Sequence, residues 1–336
     1  MKRPTARRTI ALAAAAIAGA STATVPAYAD NSVAPAAVVN ASTQPAAPAA
    51  PPPPAVNGLQ AFFDDWANWV SDAKASQPSW ASPIATTSGL LGQRYRFEVQ
   101  LQQSGNGTQT TNFDNGKGVD LIVSETQEIR LAPPPYVIRT GTPPQNTLSG
   151  FGDWSPFRFK QRLFSSPQDQ GNYVVSVWMG ITLPTGIERL TSHSVSLSPT
   201  IGFGKGWGAF DIQGNFGAVV PPGGVIKNAF QGKLGEAFQN RQGDRIFGNA
   251  AVQYQLLGMI WPELEVNWTY YANGPRAGLS RVFLTPGISI ARIPITKGLK
   301  LTLAIGYQVA IAPPYRAVPL TPQYNNAWLL STSLGF

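Results

Sequence analysis

The chain has no cysteine and a single histidine in 336 residues. Disulfides, a thiol nucleophile and a lipid-bearing cysteine at an export cleavage site are therefore excluded. Metal sites built from His and Cys ligands are excluded with them, and no Gly-rich phosphate loop with its lysine occurs either. Charge is the second shortage. Only 12% of residues are Asp, Glu, Lys or Arg, about half the ~25% of an ordinary soluble domain. Long apolar runs are also missing: beyond the amino end nothing approaches 18 consecutive apolar residues, so a membrane-crossing helix is not expected. A chain with so little charge can still live in a membrane, but only by crossing it with strands.

Against these absences stand 43% apolar and 10% aromatic residues, enough to exclude a disordered chain. Residues 1–29 carry Lys2, Arg3, Arg7 and Arg8, an Ala-rich run, and the small-x-small signal Ala27-Tyr28-Ala29. They read as a secretory signal peptide. Its removal takes four positive charges and no acid, so the formal +8 falls by four, and a nucleic-acid partner loses its main support. Residues 30–57 form a Pro/Ala-rich linker, extended and semi-rigid. Residues 58–76 place Leu59, Phe62, Phe63, Trp66, Trp69 and Val70 at helical spacing, which predicts a short amphipathic helix that packs on its own protein, plugs a lumen or lies on a membrane surface.

From residue 92 to 336 the period becomes two. In "RYRFEVQLQ" Tyr95, Phe97, Val99 and Leu101 alternate with Arg94, Arg96, Glu98 and Gln100; "PFRFKQRLF" and "GLKLTLAIGYQVAI" behave alike. Segments of about ten alternating residues, joined by connections that are short and long in turn, predict an all-β, antiparallel transmembrane β-barrel. A turn at Ser124-Glu125 brings the strand count to twelve, the even number such barrels require. Pro199 and Pro286 fall inside proposed strands and are expected at bulges or ends. Gly202-Phe203-Gly204 is expected to serve a hairpin turn.

The last stretch, "NNAWLLSTSLGF", sets Trp328, Leu330, Leu334 and Phe336 on one face and mostly small residues on the other. Trp328 and Phe336 are about 26 Å apart along a strand, comparable after tilting with the ~25 Å apolar band of a barrel. With Trp268 and Tyr270 they form the expected aromatic girdle. If the bulky parity faces lipid, then Arg94, Arg96, Glu98, Arg158, Lys160, Arg162, Glu263, Glu265 and Lys300 point into the lumen, since a lipid-facing Arg or Lys costs ~2–4 kcal/mol at mid-membrane. There they either pair across strands or, for Arg158, Lys160 and Arg162, form a basic rung favouring anionic solutes.

The order "GFGDWSPFRFKQRLF" (Gly150, Gly152, Asp153, Lys160) then "VVSVWMGITLPTG" (Leu183, Pro184, Thr185, Gly186), with "TQEIRLAPPPY" before and "FLTPGISIAR" after, resembles the outer-membrane barrel family named for the meta pathway of phenol degradation, over residues 93–336. That resemblance implies passage of small, often aromatic, molecules. The linker and helix depart from its pattern. Chemistry has one candidate, "TSHSVSLS", but two positions from His193 stand Thr191 and Val195, while Ser192 and Ser194 point the other way, so no general base–hydroxyl pair shares a face. The expectation is a non-enzyme without cofactor or metal, in the outer membrane of a Gram-negative bacterium. Its partners would be membrane lipids, a small solute and, through the carboxyl-terminal strand, the barrel assembly machinery. It is either a channel or a closed structural or adhesive barrel plugged by its helix.

Overall fold

The computed structural model describes residues 58–105, 107–114, 116–141, 147–221, 243–312 and 324–336. The signal peptide, the linker and much of the connections 141–147, 220–244 and 313–325 lie outside the described residues. One helix, α1 (Gly58–Ala75), precedes fifteen strand segments. These are β1 (Arg94–Gln103), β2 (Gln109–Phe113), β3 (Gly118–Ser124), β4 (Gln127–Leu131), β5 (Tyr136–Thr140), β6 (Leu148–Phe151), β7 (Trp154–Ser166) and β8 (Tyr173–Leu183). They continue as β9 (Ser196–Trp207), β10 (Phe210–Val219), β11 (Arg245–Tyr254), β12 (Ile260–Tyr271), β13 (Ser280–Thr296), β14 (Leu299–Ala312) and β15 (Asn326–Gly335).

Three pairs of segments are single strands interrupted once. β1 pairs with β2 along one half and with β3 along the other. β4 and β5 are separated by Pro133-Pro134-Pro135, residues that cannot donate to a ladder, and β6 runs into β7 across Gly152-Asp153. The wall therefore has twelve antiparallel strands, and the pairing of β1 with β15, Arg94 opposite Gly335 through Gln103 opposite Asn326, closes it. The turn between β3 and β4 falls at Glu125-Thr126, one residue beyond the Ser124-Glu125 position that the pattern gave. Pro199 and Pro286 do not sit at bulges or ends as expected. Register runs unbroken past them, Pro199 opposite Met179 and Pro286 opposite Leu264, so each removes one donor from the wall and nothing more. The breaks in β13 lie elsewhere, between Val282 and Phe283 and between Ile290 and Thr296.

The two faces are inverted relative to a water-soluble protein. Outward residues are large and apolar, and between 37% and 51% exposed at Phe159, Phe203, Phe216, Leu264, Ile288 and Ile305. Inward residues are polar and covered, among them Asp120, Glu128, Ser176, Gln213 and Glu265 at 0%. Monomeric soluble proteins rarely expose apolar patches beyond a few hundred Å2; an apolar band around every strand needs acyl chains against it. Among the described residues no helix is long and apolar enough to cross a membrane. At one end of the wall lie the tight connections 125–126, 167–172, 208–209, 255–259 and 297–298, the start of β1 and the end of β15. The longer connections, 184–195 and 272–279 among them, lie at the other.

Candidate functional site

The interior is occupied by backbone. α1 stops where Pro78 approaches, since the residues before a proline avoid helical geometry, and residues 76–92 then run inside the wall. Gln77, Trp80, Ala81, Ile84, Thr86, Ser88, Gly89, Leu90 and Leu91 are all buried. The helix itself lies at the short-turn rim: the Trp66 indole donates to the Ile122 oxygen at 2.6 Å, and Val70 and Ala73 pack on Ile122 and Leu91. The apolar stripe is only partly used, because Leu59, Phe62 and Phe63 remain 75%, 54% and 55% exposed. The lumen is filled by the segment after the helix, which carries no periodicity by which a sequence reading could assign it.

The wall holds this segment from two opposed arcs. On β1 and β7 cations reach its carbonyl oxygens. Lys160 donates to the oxygens of Ser88 and Leu90 at 3.1 and 2.8 Å, pairs with Glu128 at 3.2 Å, and stands 5.4 Å over the Trp178 ring. Arg162 donates to the Ala73 oxygen, the Ser76 hydroxyl and the Glu125 oxygen at 2.7–2.8 Å. Arg96 donates to the Ile84 oxygen and the Ser331 hydroxyl, and pairs with Glu98 at 3.5 Å. Arg158 pairs with Glu128 at 3.0 Å and Asp120 at 3.4 Å; Asp120 also takes Arg130 at 2.6 Å and Arg94 at 3.1 Å. Thus Arg158, Lys160 and Arg162 do not form an open basic rung. Wall carboxylates and the threaded backbone engage all three.

Across the lumen, β12 supplies carboxylates to the segment's N–H groups. Glu265 accepts from Ala85 at 2.8 Å and Thr86 at 2.6 Å. Glu263 accepts from Ile84 at 3.1 Å and from the Gln253 amide. In the ring of twelve strands β12 stands opposite β4. The N–H groups of residues 84–86 meet the β12 carboxylates, while the Ile84, Ser88 and Leu90 carbonyls meet cations of β1 and β7 and the Gly92 N–H donates to Glu128 on β4 at 2.7 Å. Successive N–H groups that converge on a carboxylate make a small anion nest. Gln213, Asn215 and Ser176 complete the grip on the oxygens of Ala81, Thr87 and Gly89.

Room for the segment comes from β9. Its inward positions after Thr200 are Gly202, Gly204 and Gly206. A Cβ there would stand 2.3 Å from the Trp178 ring, 2.5 Å from the Trp80 ring and 2.7 Å from the Trp80 nitrogen. Gly202 and Gly204 are therefore clearance for two indoles rather than hairpin residues; the turn glycine is Gly208, with φ 61. Trp80, Ala81 and Leu90 pack on Val174, Trp261 and Ala291.

Below the segment, at the short-turn end, a cavity of about 780 Å3 remains between α1, residues 77–94 and the inner faces of β13, β14 and β15. Lys300 is exposed and lines it, as does Phe336. Lys74 donates to the Phe336 oxygen at 2.9 Å. Burial, and after it the nearby Lys300 ammonium, lower the Lys74 pKa below the ordinary lysine value. Arg292, absent from the sequence-based list, also lines this cavity.

The remaining motif residues are structural at the long-loop end. Asp153 accepts from the N–H groups of Gly186 and Ser192 at 3.2 and 2.7 Å, and Thr185 accepts from Trp154 at 3.2 Å. The Gly-x-Gly-Asp and Leu-Pro-Thr-Gly stretches thus clasp β7 to the end of β8. His193 lies on the 184–195 connection with φ 55, 3.5 Å from Glu188, and its N–H donates to the Thr191 hydroxyl oxygen. Among the described residues no group of three or more His, Asp or Glu side chains could hold a metal. On the outer face Trp268 stacks on Tyr270 with ring centres 6.4 Å apart, and Trp328 lies 4.8 Å from Tyr307, all toward the long-loop end; Phe336 lies at the other.

No protein-family model and no curated protein matches the chain. Among solved structures it is similar to an outer-membrane channel of Pseudomonas putida F1 (11% identity, 76% of this chain and 100% of that one, TM-score 0.44). It is also similar to the NanC porin (9%, 71% and 98%, TM-score 0.41). A third is the transport unit of the autotransporter AIDA-I from Escherichia coli (14%, 72% and 88%, TM-score 0.38). At these identities and scores the likeness speaks to neither solute nor mechanism.

Proposed function

We propose that this protein is a channel of the bacterial outer membrane for small solutes, hydrophobic or aromatic ones included, with residues 76–92 as its gate. The short-turn end then faces the periplasm, toward which export delivers the chain. One observation carries the reading: the lumen is filled by a threaded segment held largely through polar contacts, instead of by side chains of the wall. A barrel that served only as a scaffold could fill twelve strands with its own side chains. A segment tethered at both ends and bonded mainly to polar walls can leave while exposing only the small apolar patch of Val174, Trp261 and Ala291. The sequence resemblance to the phenol meta-pathway barrels supports an aromatic solute.

The indoles and leucines that anchor the segment support the second reading, a permanently closed structural barrel. Planar-bilayer recording separates them. The mature chain is expected to conduct in rare brief openings, and a variant lacking residues 58–92 continuously. No current and no solute flux from either, with both migrating as folded barrels, would leave the closed barrel standing.

A further inference from the structure

The cavity at the short-turn end has a one-sided lining. Lys74, Arg94, Arg96, Arg292 and Lys300 border it, and no carboxylate side chain does. Arg94 and Arg96 have acidic partners behind them in the wall. Arg292 and Lys300 make no salt bridge among the described residues, and the Arg292 guanidinium reaches only the main-chain oxygen of Trp80, whereas Lys74 donates to a carboxyl oxygen of the last residue, Phe336. Between the cations Trp66, Val70, Leu91 and Phe336 give the lining an apolar part, and Gln77, Ser82, Gln93 and Thr302 a neutral polar one. The hydroxyls of Ser331 and Ser333 lie on the β15 side.

Arg292 is there against the strand pattern. In β13 Arg281, Phe283, Thr285, Ser289 and Ala291 face inward and are buried, while Ile288 and Ile290 face lipid and are about 40% exposed. Strict alternation would send Arg292 outward. A break in register between Ile290 and Ile293, opposite Leu303 and Leu301, and a left-handed φ of 64 at Arg292 turn it in instead. Its N–H then donates to the Thr302 hydroxyl at 3.3 Å and its guanidinium to the Trp80 oxygen at 3.2 Å. Such bulges re-aim a side chain at a cost that a glycine would avoid. Keeping an arginine off lipid explains why it does not point outward, but a Ser or Thr at 292 would have met that need without strain. A cavity of this size fits a small organic ligand, and like charges grouped in low dielectric attract a counter-ion.

We infer that this vestibule is a binding site for an amphipathic organic anion, a carboxylate on an aromatic or apolar body, with Lys300 and Arg292 at the anionic head. The inference stands whether or not the barrel conducts, because occupancy of the vestibule does not require the lumen segment to move.

The test is equilibrium binding of 2-naphthoate to the mature chain in nanodiscs of zwitterionic lipid, followed by tryptophan fluorescence, with 2-naphthylmethanol and 2-naphthylmethylammonium as neutral and cationic counterparts. The naphthoate should bind roughly tenfold or more tightly than the alcohol, the ammonium least, with the preference shrinking as salt rises. Arg292→Gly relieves the left-handed strain, so it should fold at least as stably while naphthoate affinity drops roughly tenfold; Lys300→Gln should act likewise. Alcohol binding should not change in either. Equal affinity for naphthoate and alcohol, or an unchanged naphthoate affinity in folded Arg292→Gly and Lys300→Gln, overturns the site. Neither outcome touches the conductance reading.

Discussion

Glu265 shows at the scale of one residue how this lumen works. A buried carboxylate needs donors, and among the described residues it finds no Lys or Arg within salt-bridge distance; two backbone N–H groups of the threaded segment serve it instead. Hydrogen bonds to a charged group contribute ~1.5–3 kcal/mol each. Glu265→Gln keeps the volume but offers one carbonyl where two oxygens accepted, and it turns its NH2 toward an N–H. Losing one such bond destabilises the seated segment and leaves the wall untouched, so open probability in bilayers should rise roughly ten- to a hundredfold. An unchanged closed state in a properly folded Glu265→Gln barrel would show that Glu265 does not hold the segment. Its inward direction was legible from alternation alone. Its partner was not, because a main-chain donor leaves no mark in a sequence.

The same division appears at the scale of the element. Wall strands were readable because one face must be apolar throughout and the other polar, and the split at Ser124-Glu125 followed from parity. Residues 76–92 were unreadable because a segment surrounded on all sides by wall obeys no period. β9 was half legible: its alternation was visible, but Gly202 and Gly204 were assigned to a turn, since nothing local shows that Trp178 and Trp80 occupy the space before them. That space permits a sharp test. Gly204→Ala places a methyl 2.5 Å from the Trp80 ring, and overpacking of this kind costs ~1–3 kcal/mol. β9 is held by continuous ladders to β8 and β10, so the displacement should fall on the segment. Heat-resistant mobility should persist while openings become more frequent. Gly208→Ala, at φ 61 with open space around it, should instead strain the turn and lower thermal stability without altering the openings. If the two variants behave alike, the glycines of β9 are not clearance for the segment. Arg292 is the converse case, since a bulge is invisible to a period-two reading.

For the molecule as a whole, what matters is the charge left in the lumen once the segment is gone. Among the described residues the covered or lumen-lining cations are Arg94, Arg96, Lys117, Arg130, Arg158, Lys160, Arg162, Arg281, Arg292 and Lys300. They outnumber the covered carboxylates Glu98, Asp114, Asp120, Glu128, Asp211, Glu263 and Glu265. Three of these seven carboxylates are already paired: Asp120 faces three arginines, Glu128 both Arg158 and Lys160, and Glu98 both Arg96 and Lys117. Cations whose partners are carbonyl oxygens of the segment, Arg162 and Arg96 in part, lose them when it leaves, and so does the N–H nest that serves Glu263 and Glu265. One arc then presents three carboxylates without a salt bridge, Asp211, Glu263 and Glu265, and the other a larger set of cations, within a pore too narrow for bulk water to screen them fully. Net positive lining concentrates anions, so the variant lacking residues 58–92 should be anion-selective in a potassium chloride gradient. Adding Glu263→Gln and Glu265→Gln to it should sharpen that selectivity. A reversal potential of the cationic sign would mean that the β12 pair governs the pore and that the basic arc is spent within the wall.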